Sequence, residues 1–127
     1  MEHLLIVAHG SRRNESTEEI EALARAVGEH PDNGYASTAF AFLELAKPSI
    51  GEAIDGCIER GATRISVLPY FLTVGTHVAF DIPAILEERQ EQYPHVDIVQ
   101  LDYIGKSGDM QGLLIESLRR SVPAIRS

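Results

Sequence analysis

The 127-residue chain has few of the features that mark disulfide-linked, secreted or membrane-bound proteins. Cys57 is the single cysteine, which excludes a disulfide within the chain and a cysteine-based zinc site, and favours a reducing compartment. The first apolar run, residues 4–8, is too short for a signal peptide or a membrane span. From these absences we expect a cytoplasmic protein without a membrane partner.

Positive charge is also scarce. The chain has 11 lysines and arginines against 19 aspartates and glutamates, which gives a net charge of −8. Because nucleic-acid binding needs a basic surface, this balance argues against a nucleic-acid partner. It also means that an anionic ligand has to be met by local positive charge, so the position of each arginine is informative.

Apolar strand-like runs alternate with helical patterns four times along the chain. The predicted strands are residues 4–8, 35–43, 65–68 and 96–101, and the apolar helical positions lie within 20–27, 50–58, 82–89 and 110–118. Pro48 is predicted to open the second helix and Gly61 to end it. This alternation predicts one α/β domain over residues 1–127, with a four-stranded parallel sheet, flavodoxin-like winding and helices on both faces.

Three chemically versatile residues fall where the predicted strands end. His9 follows the first strand, Glu44 ends the second and His77 follows the third. Because ligands bind beyond the carboxyl ends of parallel strands, we expect these side chains to converge at one edge, with Glu44 buried there. Each also has a structural interpretation: His9 as a turn residue, Glu44 in a first helical turn where the dipole favours acids, and His77 as a helix cap. Their shared edge is what favours a site.

Arg12 and Arg13 lie in the turn between the first strand and its helix. They are either plain surface charges or, beside Ser11 and a helix N-terminus, groups that hold carboxylates or phosphates, and the sequence leaves both open. The other three histidines are interpreted as surface or strand-end residues: His3, His30 and His95.

Several common motifs are absent. No G-x-S-x-G nucleophile elbow accompanies the "HGS" turn, which argues against an α/β-hydrolase. A phosphate-binding loop ending at Lys106 would need glycine where Gln100 stands, and no G-x-G-x-x-G follows a strand. Nucleotide binding and acyl transfer therefore lose support.

Three segments in this order resemble a known family. "VAHGSRRN", "FAFLELAKPSIGEAI" and "GATRISVLPYFLTVGTHVAFDIPAIL" are similar to the CbiX-type chelatases, the small single-domain sirohydrochlorin cobaltochelatases related to ferrochelatases and nickelochelatases. The likeness covers nearly the whole chain. It implies a chelatase-like α/β/α sandwich and insertion of a divalent metal into sirohydrochlorin, a tetrapyrrole with eight carboxylates.

The resemblance also implies residue roles and partners. His9, His77 and Glu44 match the family's catalytic positions, and the two histidines would bind the metal. Co²⁺, used in cobalamin biosynthesis, is the expected metal substrate, with Fe²⁺ or Ni²⁺ as alternatives and no organic cofactor. The macrocycle is expected to contact Ser11, Arg12, Arg13 and Thr76.

The resemblance further implies a homodimer. Two other functions stay open at this point: a non-catalytic tetrapyrrole or metal carrier, and a generic flavodoxin-like interaction domain.

Overall fold

The structure, a computed structural model, describes residues 1–126, except for the side chains of His77 and of residues 122–126. Strands and helices alternate along the chain. The strands are β1 (Glu2–Ala8), β2 (Ser37–Phe42), β3 (Arg64–Pro69) and β4 (Asp97–Gln100). The helices are α1 (Asn14–Glu29), α2 (Ile50–Glu59), α3 (Thr76–Gln92) and α4 (Met110–Arg126), with a short 3₁₀ helix, Ile104–Lys106, before α4.

The four strands form one parallel sheet in the order β2-β1-β3-β4. The chain moves outward from β1 to β2, then crosses back over β1 to reach β3. The strand order therefore reverses between β1 and β3, which is the position where open α/β sheets form a crevice for ligands. The predicted fold class is confirmed.

β1 is a central strand, and its side chains alternate between two apolar cores. Leu5 and Val7 face the larger core, and Leu4 and Ile6 face the smaller one. The smaller core is closed by α1, whose buried residue is Ala24. The larger core is closed by buried side chains of α2 and α3, among them Ile50, Ile54, Cys57, Ile82 and Leu86.

α2 begins at Ile50, two residues after the predicted start at Pro48, because Ser49 caps the helix. The Ser49 hydroxyl accepts a hydrogen bond from the Glu52 N–H at 3.2 Å, and the Glu52 carboxylate accepts one from the Ser49 N–H at 2.9 Å. These two bonds form a capping box, and they lower the pKa of Glu52. The predicted stop at Gly61 is confirmed, since this residue follows the helix with φ +94.

An ion pair and a hydrogen bond join α2 to α3 on the same face of the sheet. The Asp55 carboxylate lies 3.1 Å from Arg89 Nε and accepts a hydrogen bond from the Tyr93 hydroxyl at 3.1 Å. The hydrogen bond to Asp55 raises the pKa of Tyr93. The Arg89 guanidinium passes so close to Gly51 that a Cβ there would lie 2.4 Å from it.

Of the two interpretations given for His3, surface or strand-end residue, the structure agrees with the second and contradicts the first. His3 lies at the start of β1 and is 1% exposed, and neither ring nitrogen has a hydrogen-bond partner within the described part of the chain. Burial, together with the positive charges of Arg60 and the N-terminus, lowers its pKa below the usual 6.5. His30 and His95 are exposed, as expected.

The last helix, α4, forms where its apolar spacing predicts, but four of its described apolar side chains are exposed. The exposed fractions are 55% for Leu113, 59% for Leu114, 50% for Ile115 and 56% for Leu118. These four side chains of α4 are therefore not part of either apolar core. Among residues 1–126, no helix has the combined length and apolar character needed to cross a bilayer.

Candidate active site

The site begins at the turn that follows β1. Gly10 has φ +104, and a Cβ on it would lie 1.7 Å from the Glu44 carbonyl oxygen, so only glycine fits. Backbone pairing continues past the strand ends: the Leu43 N–H donates to Ala8 O at 2.9 Å and the Glu44 N–H to His9 O at 3.0 Å. This backbone pairing places Glu44 beside His9.

The side chains of His9 and Glu44 meet. His9 Nε2 lies 3.1 Å from Glu44 Oε1, and the two side chains are 53% and 56% exposed. Because a carboxylate only accepts hydrogen bonds, we infer that Nε2 carries a proton. In the neutral form of the ring the lone pair is then on Nδ1, which can bind a metal ion or accept a proton.

The expected burial of Glu44 is wrong. β2 ends at Phe42, two residues before Glu44, and the chain then turns through Leu45, which has φ 66. The Ala46 N–H donates back to Glu44 O at 2.9 Å within this turn. The carboxylate therefore leaves the sheet edge toward solvent rather than packing under the helix.

A third side chain, Phe71, contacts the His9 ring. The two ring centroids are 6.5 Å apart and the planes meet at 89°, an edge-to-face arrangement. Phe71 is half-buried and packs against the larger core. The sequence analysis missed this residue, although its position two residues after β3 places it at the predicted edge.

The third predicted member of the site is His77. Its backbone lies in the first turn of α3, after β3 and thus at the same edge of the sheet as His9. Its side chain lies outside the described residues. Among the side chains that are described, no group of three histidine, cysteine, aspartate or glutamate residues is arranged to hold a metal ion.

The residues predicted to bind the macrocycle surround the start of α1 and of α3. Ser11 Oγ accepts a hydrogen bond from the Arg13 N–H at 3.1 Å and shapes the turn. Arg13 precedes α1, with its guanidinium 77% exposed and 3.7 Å from Glu15. Arg12 is exposed without an ion-pair partner among the described side chains, and Thr76 is exposed at the start of α3. These groups are accessible to an anionic ligand.

Two shallow cavities lie at this edge. One of about 280 Å³ is lined by Gly10, Ser11 and Tyr70, and one of about 180 Å³ lies between α3 and the chain after β4. Binding pockets for drug-sized ligands span roughly 300–1,000 Å³, and a tetrapyrrole is a large member of that class. Neither cavity encloses such a ring.

Large apolar side chains are also exposed at or near this edge, and the sequence analysis missed them. Leu45 and Tyr70 follow β2 and β3 and are 51% and 41% exposed. Leu72 lies in the loop after β3 and is 67% exposed, and Phe80, in α3, is 72% exposed. They supply apolar surface for a flat ligand or another protein chain.

Comparison with known proteins agrees with this arrangement. A protein-family model described as CbiX matches residues 3–121. The chain is 31% identical over 121 residues to a sirohydrochlorin ferrochelatase of Priestia megaterium, which covers 95% of this chain but only 45% of that protein. The chain thus spans about half the length of this curated relative.

Two other similar proteins match along nearly their whole length. A sirohydrochlorin cobaltochelatase of Saccharolobus islandicus is 27% identical over 124 residues, which covers 93% of this chain and 94% of that protein. The crystal structure of a cobalamin (vitamin B12) biosynthesis CbiX protein from Marinobacter aquaeolei VT8 superposes with a TM-score of 0.79 and 30% identity. That match covers 100% of both chains.

Proposed function

Because the chain belongs to the CbiX family, as its motifs predict, we propose that it inserts a divalent metal ion into sirohydrochlorin. The observation that carries this proposal is the His9–Glu44 pair, 3.1 Å apart at the end of the central strand. It places an imidazole and a carboxylate next to the point where the strand order reverses. Both are exposed enough to reach a bound macrocycle.

Metal insertion exchanges one divalent ion for two pyrrole N–H protons, so the protein has to present the ion and receive protons. In our proposal, His9 Nδ1 binds the ion first. Once the ion has moved into the macrocycle, the same nitrogen accepts one pyrrole proton. Glu44, bound to Nε2, stabilises the imidazolium that forms. We assign the second metal ligand and proton acceptor to His77.

The macrocycle's carboxylates need positive or hydrogen-bonding partners on this acidic protein. We propose that Arg12 and Arg13 receive them, with the hydroxyls of Ser11 and Thr76 as further donors. The two arginines extend into solvent at the start of α1, which supports this role. The ion pair of Arg13 with Glu15 is exposed to solvent, so no buried ion pair has to break before the macrocycle binds.

The metal we propose is Co²⁺, for cobalamin biosynthesis. The cobaltochelatase relative, which matches along 94% of its length, supports cobalt, whereas the ferrochelatase relative supports iron for siroheme as the second candidate. Imidazole and carboxylate ligands bind Fe²⁺, Co²⁺ and Ni²⁺ with affinity that rises in this order, so selectivity in the cell depends largely on geometry and metal supply. A buried free thiol at Cys57 supports a reducing compartment, and we propose the cytoplasm.

We propose that the working unit is a homodimer. The shallow cavities at the site do not enclose a tetrapyrrole, so a second wall is needed. The exposed apolar face of α4 supplies a surface for association, and the doubled length of the ferrochelatase relative leaves room for a second unit in one chain. Sedimentation should show a dimer at micromolar concentration that Leu114→Glu weakens, and a wild-type monomer would contradict the proposal.

The test of the function is the absorbance spectrum of sirohydrochlorin mixed with Co²⁺ and protein. With the wild type we expect conversion to the metallated spectrum to be faster than without protein. With His9→Ala we expect the rate to be at least 100-fold lower than that of the wild type, in line with the usual 10²–10⁴-fold contribution of a proton-transfer group. His95→Ala, at an exposed histidine of the opposite edge, is the matched control and should retain the wild-type rate. Spectral changes of binding without acceleration would indicate a carrier. Repeating the assay with Fe²⁺ and Ni²⁺ ranks the metals.

A further inference from the structure

We propose that Phe71 is a positioning residue that holds the His9 imidazole in the orientation needed for metal transfer. The inference deepens the proposed function and rests on it. The contact that carries it is the edge-to-face packing of the two rings, with centroids 6.5 Å apart and planes at 89°.

The hydrogen bond to Glu44 is too weak an anchor for His9 by itself. Both side chains are more than half exposed, at 53% and 56%, and exposed ion pairs stabilise little because water competes and both side chains lose rotamer freedom. A glutamate in a turn can also move with the imidazole while keeping the bond. A second contact from a fixed group is therefore what restricts the ring.

Phe71 is such a fixed group, since the core and two backbone hydrogen bonds hold it. Its ring packs against the larger core, and its N–H donates to Pro69 O at 3.1 Å. Its carbonyl accepts the Gly105 N–H at 2.9 Å. Gly105 fits so closely that a Cβ there would lie 1.7 Å from Leu72 O, so the chain after β4 supports the loop after β3.

The orientation has a chemical consequence. With Nε2 turned to Glu44, Nδ1 is the nitrogen left for the metal ion. Rotation of the ring by half a turn would place a carbon against the carboxylate and lose the hydrogen bond. Phe71 and Glu44 together thus select one ring orientation and one tautomer before any ligand arrives, which is how supporting residues tune metal-binding histidines.

The test compares Phe71→Leu with Phe40→Leu in the full chain. Phe40 is the matched control, because it also forms an edge-to-face pair, with Phe42 at 5.8 Å and 69°, but belongs to the smaller core. The first readout is the ¹⁵N chemical shifts of the His9 ring nitrogens in the free protein. We expect Phe71→Leu to move them toward a mixture of tautomers, Phe40→Leu to leave them unchanged, and Phe71→Tyr to preserve them.

The second readout is cobalt insertion. Loss of a residue that supports a metal ligand lowers activity about 10–100-fold, so we expect Phe71→Leu to lower kcat about 10-fold with little change in KM. Phe71→Tyr should restore it. If Phe71→Leu lowers the melting temperature as Phe40→Leu does but leaves the His9 nitrogen shifts of the wild type, Phe71 only packs and the proposal is wrong.

The two proposals can fail separately. The nitrogen shifts are measured without metal or macrocycle, so they report on the orientation of His9 whatever the protein does. If these shifts change in Phe71→Leu but the wild type inserts no metal, the positioning role stands and the proposed function fails.

Discussion

The central strand β1 has a histidine at each end, and the two lie in opposite environments. His3 is 1% exposed, without a hydrogen-bond partner in the described part of the chain, and burial lowers its pKa. The His9 side chain is 53% exposed and hydrogen-bonded to the Glu44 carboxylate. The same side chain thus has different chemistry at the two ends of one strand. His3 is packed inside the fold, whereas His9 lies beyond the carboxyl end of β1, next to the point where the strand order reverses.

The first prediction concerns the turn that creates the open end. Gly10→Ala should lower the free energy of unfolding by roughly 3 kcal/mol or more. The backbone strain of a positive φ and the steric overlap of the new Cβ with the Glu44 carbonyl both destabilise the folded state. Gly34→Ala is the control: it has φ +78 but nothing within 4 Å of an added Cβ, so about 1 kcal/mol is expected. Urea unfolding measures both. Equal losses would show that the close approach to Glu44 does not matter.

The second prediction separates two roles of Glu44. Glu44→Ala should lower kcat for cobalt insertion about 100-fold, and Glu44→Gln about 10-fold, since the amide oxygen still accepts the Nε2 hydrogen bond but carries no charge. His3→Leu, at the other end of the strand, should retain the wild-type kcat. Full activity in Glu44→Ala would remove the carboxylate from the mechanism.

The third prediction is a pH dependence of stability that originates at His3, near the amino end of β1. The folded protein holds His3 neutral, because its pKa is below the usual 6.5, whereas unfolded His3 binds a proton as the pH falls through 6.5. His3 therefore lowers stability on acidification, from about pH 6.5 down to its folded pKa. His3→Leu should remove this slope and, by deleting an unpaired buried polar group, raise stability at pH 7 by about 1 kcal/mol.

Urea unfolding at a series of pH values between 7 and 5 measures the slope. His95→Leu, at an exposed position, is the control and should keep the slope of the wild type. An unchanged slope in His3→Leu would mean that other groups cause the acid sensitivity.

The smallest effect concerns Arg60, whose charge adds to burial in lowering the pKa of His3. Arg60→Leu should raise the His3 pKa part of the way toward 6.5 and so make the acid slope shallower without removing it, because burial is the larger cause. Arg25→Leu, which removes an arginine paired with Glu21 on α1, should leave the slope alone. A slope that Arg60→Leu does not change would show that the Arg60 charge does not affect the His3 pKa.

Much of the fold was predictable because its signals are local. The apolar run at residues 4–8 became the fully buried part of β1, and alternation of strands and helices led to a four-stranded parallel sheet. Element boundaries were less accurate: α2 begins at Ile50 because Ser49 and Glu52 form a capping box that the proline signal obscured. The exposure of α4 was not predictable, since its apolar spacing is the same whether or not another surface covers it.

The candidate site was predictable in part. The prediction that Glu44 lies beside His9 is confirmed, because parallel strands end at the same edge of the sheet. The predicted burial of Glu44 is wrong, because its exposure depends on the turn at Leu45. Phe71 was missed, because a contact between rings in two different loops leaves no periodic pattern in the sequence. The contact of His9 with Glu44 is observed, but the roles of all the predicted site residues stay predictions: His9, Glu44, His77, Ser11, Arg12, Arg13 and Thr76.

The sequence by itself determined the order of elements, the parallel sheet, the family and the edge at which His9 and Glu44 lie, because periodicity and motif order act over short stretches of chain. Only the tertiary structure decided that His3 is buried, that Nε2 of His9 faces Glu44 and that Phe71 packs against the imidazole. Each of these depends on segments far apart in the chain packing together. Burial, ring orientation and the pKa of a histidine are set by those neighbours rather than by the residue itself.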